Sequence, residues 1–541
     1  MNFIINESIQ KLRGGYYTPK ALADFIVSWT VTESTKKVLE PSCGDGAFIS
    51  SLAKSPYRES FQFLGIEIDA DEAKKSENIL QESGVSGRIH HSDFLEWYIN
   101  RPVNRETIDA VIGNPPFIRY QYLPEIMQVR AEHIFKSLGL KFTKHTNAWI
   151  PFILAGIEIL RPGGRLGMVI PTEVFNVIYA QSLRTYLGET CSKITIIDPE
   201  DIWFVDTLQG AVILLAEKKQ VSTLATDGLG IIRTSGLDFC RKNPADMLKG
   251  LSRINGRSLS EKWTSAFLDE KEYAVYERVR NHPNVKTFEK IASADVGIVT
   301  GANDFFLVDA ATVEEFDLAE FAHPMFGRSD HCPGVIYDST VHASNVRRGI
   351  PSSFIWIKPE TRITKKKHKE YIAWGESRGL HLRYKCGIRS PWYSVPSVYA
   401  TEIGMLKRSH DLPRLIYNDI GAYTTDTAYR VKVFAIDAKS FVFGFVNSLT
   451  ALSAEIEGRS YGGGVLELVP SEINRLLIPV IKFDNPSLDR LNELAISKDP
   501  LTYLPEQDKA ILGKIGVSQA DQEILHGAWL KLRNRRHRIA M

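Results

Sequence analysis

Charge of one sign is missing from this sequence: 66 Lys and Arg stand against 64 Asp and Glu in 541 residues, a formal net charge of +2. Total charge therefore announces no polyanionic partner, and any basic surface has to be local. Cysteine is scarce as well. Cys43, Cys191, Cys240, Cys332 and Cys386 are odd in number and far apart, with no CxxC or Cys/His grouping, so neither a disulfide framework nor a metal site is expected. No stretch approaches the roughly eighteen uninterrupted apolar residues of a membrane span, and the opening MNFIINESIQKLRGG has no apolar signal-peptide core. A soluble, cytoplasmic protein without a membrane partner is expected. Internal repeats and low-complexity tracts are absent too, and with 44% hydrophobic residues the chain can bury a core large enough for at least two domains.

Local basic enrichment does exist: Lys365, Lys366, Lys367, His368 and Lys369, then Arg347 with Arg348, Arg383 with Lys385, and KLRNRRHR over 531–538. Solvated surface or a frayed tail explains any one of these as well as phosphate contact does. Up to about residue 220 short apolar runs (KVLEP, FQFLGIEID, IDAVIGN, GRLGMVIP, SKITIIDP, GAVILLAEK) alternate with helical patterns such as KALADFIVSWTVTES and NAWIPFILAGIEILRPGG. That alternation predicts an α/β domain built on a doubly wound, mostly parallel sheet. Beyond it the alternation weakens, and turn-rich LATDGLG and RTSG place a boundary near 218–240, giving domains over 1–225 and 240–541. The second is expected to be α+β with a helical C-terminal part.

The segment KVLEPSCGDGAF (37–48) is a strand, an acidic residue, and a glycine-containing turn feeding a helix. Gly44 and Gly46 let the backbone approach a ligand closely. An ordinary tight turn reads the same way. Glu67 closes the next strand, where a carboxylate can accept from both hydroxyls of a ribose. In His91-Ser92-Asp93-Phe94, Asp93 could accept from an adenine amino group and Phe94 pack on the ring, although a loop cap explains Asp-Phe equally.

The tetrapeptide Asn114-Pro115-Pro116-Phe117 follows the strand IDAVIGN. Two prolines remove two backbone donors and hold φ near −65°, so the chain presents carbonyls in a stiff, extended form. A planar exocyclic amine has two N–H groups and a lone pair conjugated into its ring. If the Asn114 side-chain oxygen and the Pro115 carbonyl each accept one N–H, electron density returns to nitrogen and the lone pair can face an electrophile. Such chemistry needs acceptors and positioning more than a strong base, and Phe117 offers a face for the ring.

In motif order the chain resembles the gamma-class DNA adenine-N6 methyltransferases of the TaqI and Eco57I-like types. YYTP (16–19), LEPSCGDGAF, GIEID, HSDF, GNPPF, NAWIPFILAGIEILRPGGRLGMVIPTEVF and DIWFVDTLQGAVILL carry the resemblance over the first 220 residues. It implies a Rossmann-like methyltransferase fold, with S-adenosyl-L-methionine held by Thr18, Glu40, Pro41, Cys43, Gly44, Gly46, Glu67, Ile68, Asp93, Phe94 and Asn114. It makes Asn114, Pro115, Pro116 and Phe117 the catalytic loop and gives Phe204, with Phe117, the stacking of a base flipped out of double-stranded DNA. Many relatives have Tyr where this chain has Phe117, which keeps the stacking face and loses a hydroxyl. They also vary at Cys43, Gly44 and Asp45.

Residues 240–541 are similar, more loosely, to the target-recognition domains of the same enzymes, through GIVTGANDFFLV, RSPWYSVP, PRLIYNDI and SYGGGVLELVPSEINRLLIP. Asn303, Arg389, Trp392 and Tyr393 are the candidate DNA contacts, in a cleft expected between the halves. The resemblance implies a monomeric, site-specific modification enzyme, with any cognate restriction endonuclease encoded separately. About a dozen residues precede YYTP in this sequence, so a fused nuclease domain is not expected. Asn-Pro-Pro loops also serve methylation of RNA amino groups and protein glutamine amides, and an inactive DNA-specificity protein would keep the same architecture. YYTP and the long C-terminal half favour DNA, and the intact loop favours activity.

Overall fold

The computed structural model describes residues 18–101, 108–200, 203, 210–254, 259, 261–461, 464–484 and 486–537. Two compact units divide the chain, one up to Phe267 and the other Leu268–His537. The division falls later than the 218–240 read from turn residues. An eighth strand, Gly228–Thr234, pairs in parallel with the strand Cys191–Pro199 and so belongs to the first sheet.

That sheet contains β1 (Lys37–Glu40), β2 (Gln62–Glu67), β3 (Gly87–His91), β4 (Ile108–Gly113), β5 (Leu160–Pro171), β6 (Cys191–Pro199), β7 (Ala211–Lys218) and β8 (Gly228–Thr234), in the order 3-2-1-4-5-7-6-8. β1 to β5 run parallel, and β7 enters antiparallel between β5 and β6. The expected doubly wound, mostly parallel sheet is present. Its central strands read as unbroken apolar runs because both faces are covered. Val38, Ala110, Ile112, Val169, Ile213 and Leu215 join one cluster with the helices Lys20–Thr30 and Ala47–Leu52. Val111, Leu166 and Met168 face the helix Trp149–Ile159, where Gly156 lets it lie close: a Cβ there would sit 3.0 Å from Leu166 Cδ1. The expected sites lie at the carboxyl ends of β1, β2, β3 and β4. Strand order reverses between β1 and β4, where open α/β sheets leave a crevice for ligands.

The second unit is α+β. A five-stranded sheet (Ala292–Val296, Ala428–Val433, Ile403–Leu406, Leu415–Asn418, Ile336–Tyr337) and a four-stranded one (Leu307–Val308, Ser353–Ile355, Ala322–Phe326, Tyr423–Thr424) precede helices that include Leu488–Ser497, Pro500–Ile511 and Gln519–His537. The basic run near the C-terminus turns inward on the last of these. Arg536 is buried and paired with Glu455 at 2.7 Å, Arg533 pairs with Asp411 at 2.5 Å, and Lys531 with Glu272 at 2.8 Å. These cations fasten the helix rather than await phosphate. Among the described residues no helix is long and apolar enough to cross a membrane.

Candidate active site

β1 ends at Glu40 and the chain turns back on itself before the helix Ala47–Leu52. Gly44 (φ 46°) and Gly46 (φ 79°) hold left-handed backbone that residues with a Cβ avoid. The turn is fastened to β2, with Cys43 N donating to Ile66 O at 3.1 Å and Gly44 N to Glu67 Oε2 at 2.9 Å. Glu67 Oε1 accepts from Asp69 N at 2.9 Å. Asp69 in turn caps the helix Ala70–Ser83, accepting from Asp71 N and Glu72 N, and Ser76 Oγ of that helix donates to Gly44 O at 2.7 Å. Each Glu67 oxygen thus accepts one backbone N–H and keeps a second acceptor position. Ile68, beside it, is 56% exposed, an apolar face at the mouth of the crevice.

Electrostatics single out Glu40. It is 1% exposed, and its Oε2 has no hydrogen-bond partner among the described residues. Burial, followed by the charges of Asp45 and Glu67, raises its carboxyl well above the usual range. Burial raises Asp45 as well. A buried carboxyl with one oxygen unpaired and like charges nearby is stabilised by a cation. The Cys43 thiol is buried, its acidity suppressed chiefly by that burial and then by Glu40.

Asp93 and Phe94 follow β3. Asp93 caps the helix Phe94–Ile99 through Leu95 N at 2.8 Å, and its other oxygen accepts from Arg130 Nη1 at 2.6 Å. Arg130, on the helix Glu125–Ser137, also reaches Glu96 at 2.7 Å. No sequence signal pointed to Arg130. Phe94 departs from expectation: it is 2% exposed, with its ring 5.1 Å from Phe152 and 6.0 Å from Trp97. Its apolar faces are spent in the core, so Ile68 is the better partner for a ligand ring.

The Asn114-Pro115-Pro116-Phe117 loop leaves the carboxyl end of β4 through Gly113, whose φ of 152° suits glycine. A Cβ on Gly113 would lie 3.6 Å from Pro41 Cδ and 3.7 Å from Glu40 Cγ, so the ends of β1 and β4 touch. Ser42 Oγ donates to Asn114 O at 3.2 Å, and Ala148 N donates to Ile118 O at 2.9 Å. Pro115 is buried and Phe117 is half-buried against the sheet core. The buried Asn147 has an Oδ1 with no partner among the described residues, while its Nδ2 reaches Glu173 at 3.5 Å. Neither residue carried a sequence signal. Thr18 is buried ahead of the helix Lys20–Thr30, and Phe204 lies outside the described residues.

Three of the four candidates in the second unit hold structure together. Arg389 donates to Thr300 O at 2.6 Å and Val299 O at 2.7 Å, and Trp392 donates to Glu376 Oε1 at 3.1 Å while packing 4.7 Å from Phe305. Tyr393 is half-buried beside Trp392. Asn303 is exposed and accepts from Thr300 Oγ1. Guanidinium and indole donors used in this way are not free to read bases.

Residues 3–295, more than half of the sequence, match the N-6 DNA Methylase family. The chain belongs to that family. Residues 260–512 of the methyltransferase also match the C-terminal domain of the Type II methyltransferase M.Eco57I. It is similar to the Type II methyltransferase M.AccI of Acinetobacter calcoaceticus, 22% identical over 503 residues and 88% of each chain. M.BanIII of Aneurinibacillus aneurinilyticus is 29% identical over 225 residues, 37% of this chain and 38% of its own. Among solved structures, a DrdV-DNA complex superposes with a TM-score of 0.50 at 13% identity, covering 92% of this chain and 58% of that one, a likeness of fold.

The methyltransferase uses S-adenosylmethionine, and the residues present fit that group. Its sulfonium and ammonium are the cations that the unpartnered Glu40 oxygen lacks. Its ribose hydroxyls match the two spare acceptor positions of Glu67, and its adenine matches the exposed face of Ile68.

Proposed function

We propose that this chain is a site-specific, adenine-specific DNA methyltransferase of a restriction-modification system, acting on the N6 amino group after the base has left the duplex. The observation that carries the reading is the bond between Ser42 Oγ and Asn114 O, which ties the cofactor turn to the catalytic loop at the switch point of the sheet. When bound, S-adenosylmethionine supplies an electrophilic methyl group on a sulfonium. Glu40 and Glu67 orient that donor. The Asn114 side-chain oxygen and the Pro115 carbonyl accept the two N6 hydrogens and return lone-pair density to nitrogen. Phe117 offers its ring to one face of the base, and Phe204 is assigned the other. Nothing in the loop titrates near neutrality, so the N6 proton lost on methylation passes to solvent.

Extrusion is required because a stacked adenine cannot bring N6 to the crevice; it costs a few kcal/mol, offset by stacking and by the two acceptor contacts. The second unit is assigned to target recognition, where phosphate contacts set the register and base-edge contacts set the sequence. The test is tritium transfer from labelled S-adenosylmethionine to mixed-sequence duplex DNA, RNA and a release factor in parallel, with nucleoside mass spectrometry of the product. N6-methyladenine in the duplex arm is expected. Label confined to RNA or protein would overturn the reading.

A further inference from the structure

In residues 377–401 no acidic residue occurs, while Arg378, Arg383, Lys385 and Arg389 do, in a chain whose total charge is almost balanced. Within this stretch lie some of the most exposed large apolar side chains of the protein: Tyr384 at 76%, Leu382 at 75% and Ile388 at 67%. The segment is fixed rather than frayed. Arg389 fastens it to the carbonyls of Val299 and Thr300, and Cys386 is buried beneath it. The loop comes so close that a Cβ on Gly301 (φ 81°) would lie 2.6 Å from Lys385 Cβ. Val299, itself 41% exposed, extends the apolar surface.

The basic run at 365–369 is partly neutralised, with Lys365 paired to Asp317 and Glu320, and the run near the C-terminus is paired through Lys531, Arg533 and Arg536. Arg383 has only a loose, exposed approach to Asp304 at 3.5 Å, and the Lys385 ammonium stands 5.7 Å from the Tyr384 ring. Aromatic and aliphatic side chains held in water between exposed cations that are at most loosely paired suit a polyanion with flat apolar faces inside it. Phosphates take the cations, and bases or an opened base step take the apolar side chains. A protein partner would satisfy the apolar groups but leaves the one-sided charge unexplained.

We propose that Leu382, Arg383, Tyr384, Lys385 and Ile388, with Val299 beside them, form the surface by which the second unit engages duplex DNA. Arg383 and Lys385 contact phosphates, and Leu382 and Tyr384 press against bases. The inference rests on the DNA-methyltransferase reading above.

The test uses the full chain, labelled S-adenosylmethionine and unmethylated mixed-sequence duplex DNA, with three variants: Tyr384→Ala, Leu382→Ala, and the double change Arg383→Gln with Lys385→Gln. All four positions are exposed, so thermal midpoints and cofactor affinity should match wild type. The two alanine variants should raise KM for DNA about 10-fold each, as loss of a base contact does, with the salt dependence unchanged. The double variant loses two phosphate contacts. Its affinity deficit relative to wild type should therefore shrink about 12-fold between 50 and 200 mM salt, for a slope of about 0.9 per contact. A wild type that methylates no DNA overturns the parent reading. A wild type that methylates DNA alongside variants with unchanged KM and salt slope overturns this one, as does a variant whose only defect is loss of self-association or of a protein partner.

Discussion

Glu67→Ala is the most informative single change in the cofactor site. In the free protein the Glu67 carboxylate accepts Gly44 N and Asp69 N, each at 2.9 Å, and in the proposed complex its remaining acceptor positions take two ribose hydroxyls. Hydrogen bonds to a charged group contribute about 1.5–3 kcal/mol each, so losing two weakens S-adenosylmethionine binding by about 3–6 kcal/mol, roughly 10²- to 10⁴-fold in Kd. The fold loses less. Gly44 and Asp69 are only partly buried, so water can replace the carboxylate, and a cost of about 1 kcal/mol lowers Tm by about 2–4 °C. Glu67→Gln keeps one acceptor oxygen and should fall between, at about 10- to 150-fold. Calorimetric titration of the full chain with cofactor, beside a thermal scan, measures both numbers. Folded Glu67→Ala binding within about two-fold of wild type would remove Glu67 from the cofactor site and with it the register assigned to the turn.

Asn114→Ala should lower methyl transfer by at least about 10²-fold while leaving cofactor affinity nearly intact, read by single-turnover transfer and by calorimetry; normal turnover would take the loop out of the mechanism. Glu40 predicts a pH effect. Its carboxyl is raised above the ordinary 4.5 in the free protein, and a bound cation lowers it, so binding releases protons and weakens as pH falls through the raised value; Glu40→Gln should flatten that dependence. By the same linkage the raised carboxyl costs folding stability above pH 4.5, so at neutral pH unliganded Glu40→Gln should melt higher than wild type, and equal or lower melting would refute the burial argument. Arg130→Met leaves Asp93, 7% exposed, without its counter-charge and should cost about 1–3 kcal/mol in chemical denaturation, with Arg130→Lys recovering part of it.

The parts of this molecule that were legible in its sequence are those where backbone chemistry and strand period act locally. Apolar runs bounded by turns marked six of the eight strands of the first sheet, all but β3 and β8, and Gly44, Gly46, Glu67 and the double proline stood out because few other residue types can serve at such positions. Side-chain pairing across the fold left no comparable trace. Arg130 meets Asp93 across 37 positions, and Ser42 meets Asn114 across 72. Phe94 could be read as a ring platform because its burial depends on Phe152, which lies far along the chain. Composition misled at the C-terminus, where Arg533 and Arg536 resembled a basic tail and instead close ion pairs with Asp411 and Glu455. Arg389 and Trp392, offered as DNA contacts by the loose resemblance of the second half, have their donors used internally. The boundary read at 218–240 differs from the division after Phe267 for a related reason: turn-rich sequence marks a loop, but only pairing with β6 shows that β8 completes the first sheet.

Burial first, and then the charges of Asp45 and Glu67, hold the Glu40 carboxyl well above its usual range. A sheet that only had to be stable would place an apolar residue at the end of β1, where Val38 and Leu39 already lie fully buried. On the proposed reading, retaining Glu40 there keeps part of the folding free energy in a form that a cationic ligand releases, so affinity for the donor and the cost of burying Glu40 share one origin. The close approach of Gly113 to Pro41 and Glu40, and the bond from Ser42 to Asn114, offer that coupling a route to the proposed catalytic loop. A cation that draws Glu40 into its charged form therefore acts on the backbone from which Asn114 and Pro115 are presented. Donor binding and the grip on the amine should consequently strengthen together, and Ser42→Ala should weaken that linkage without removing either group.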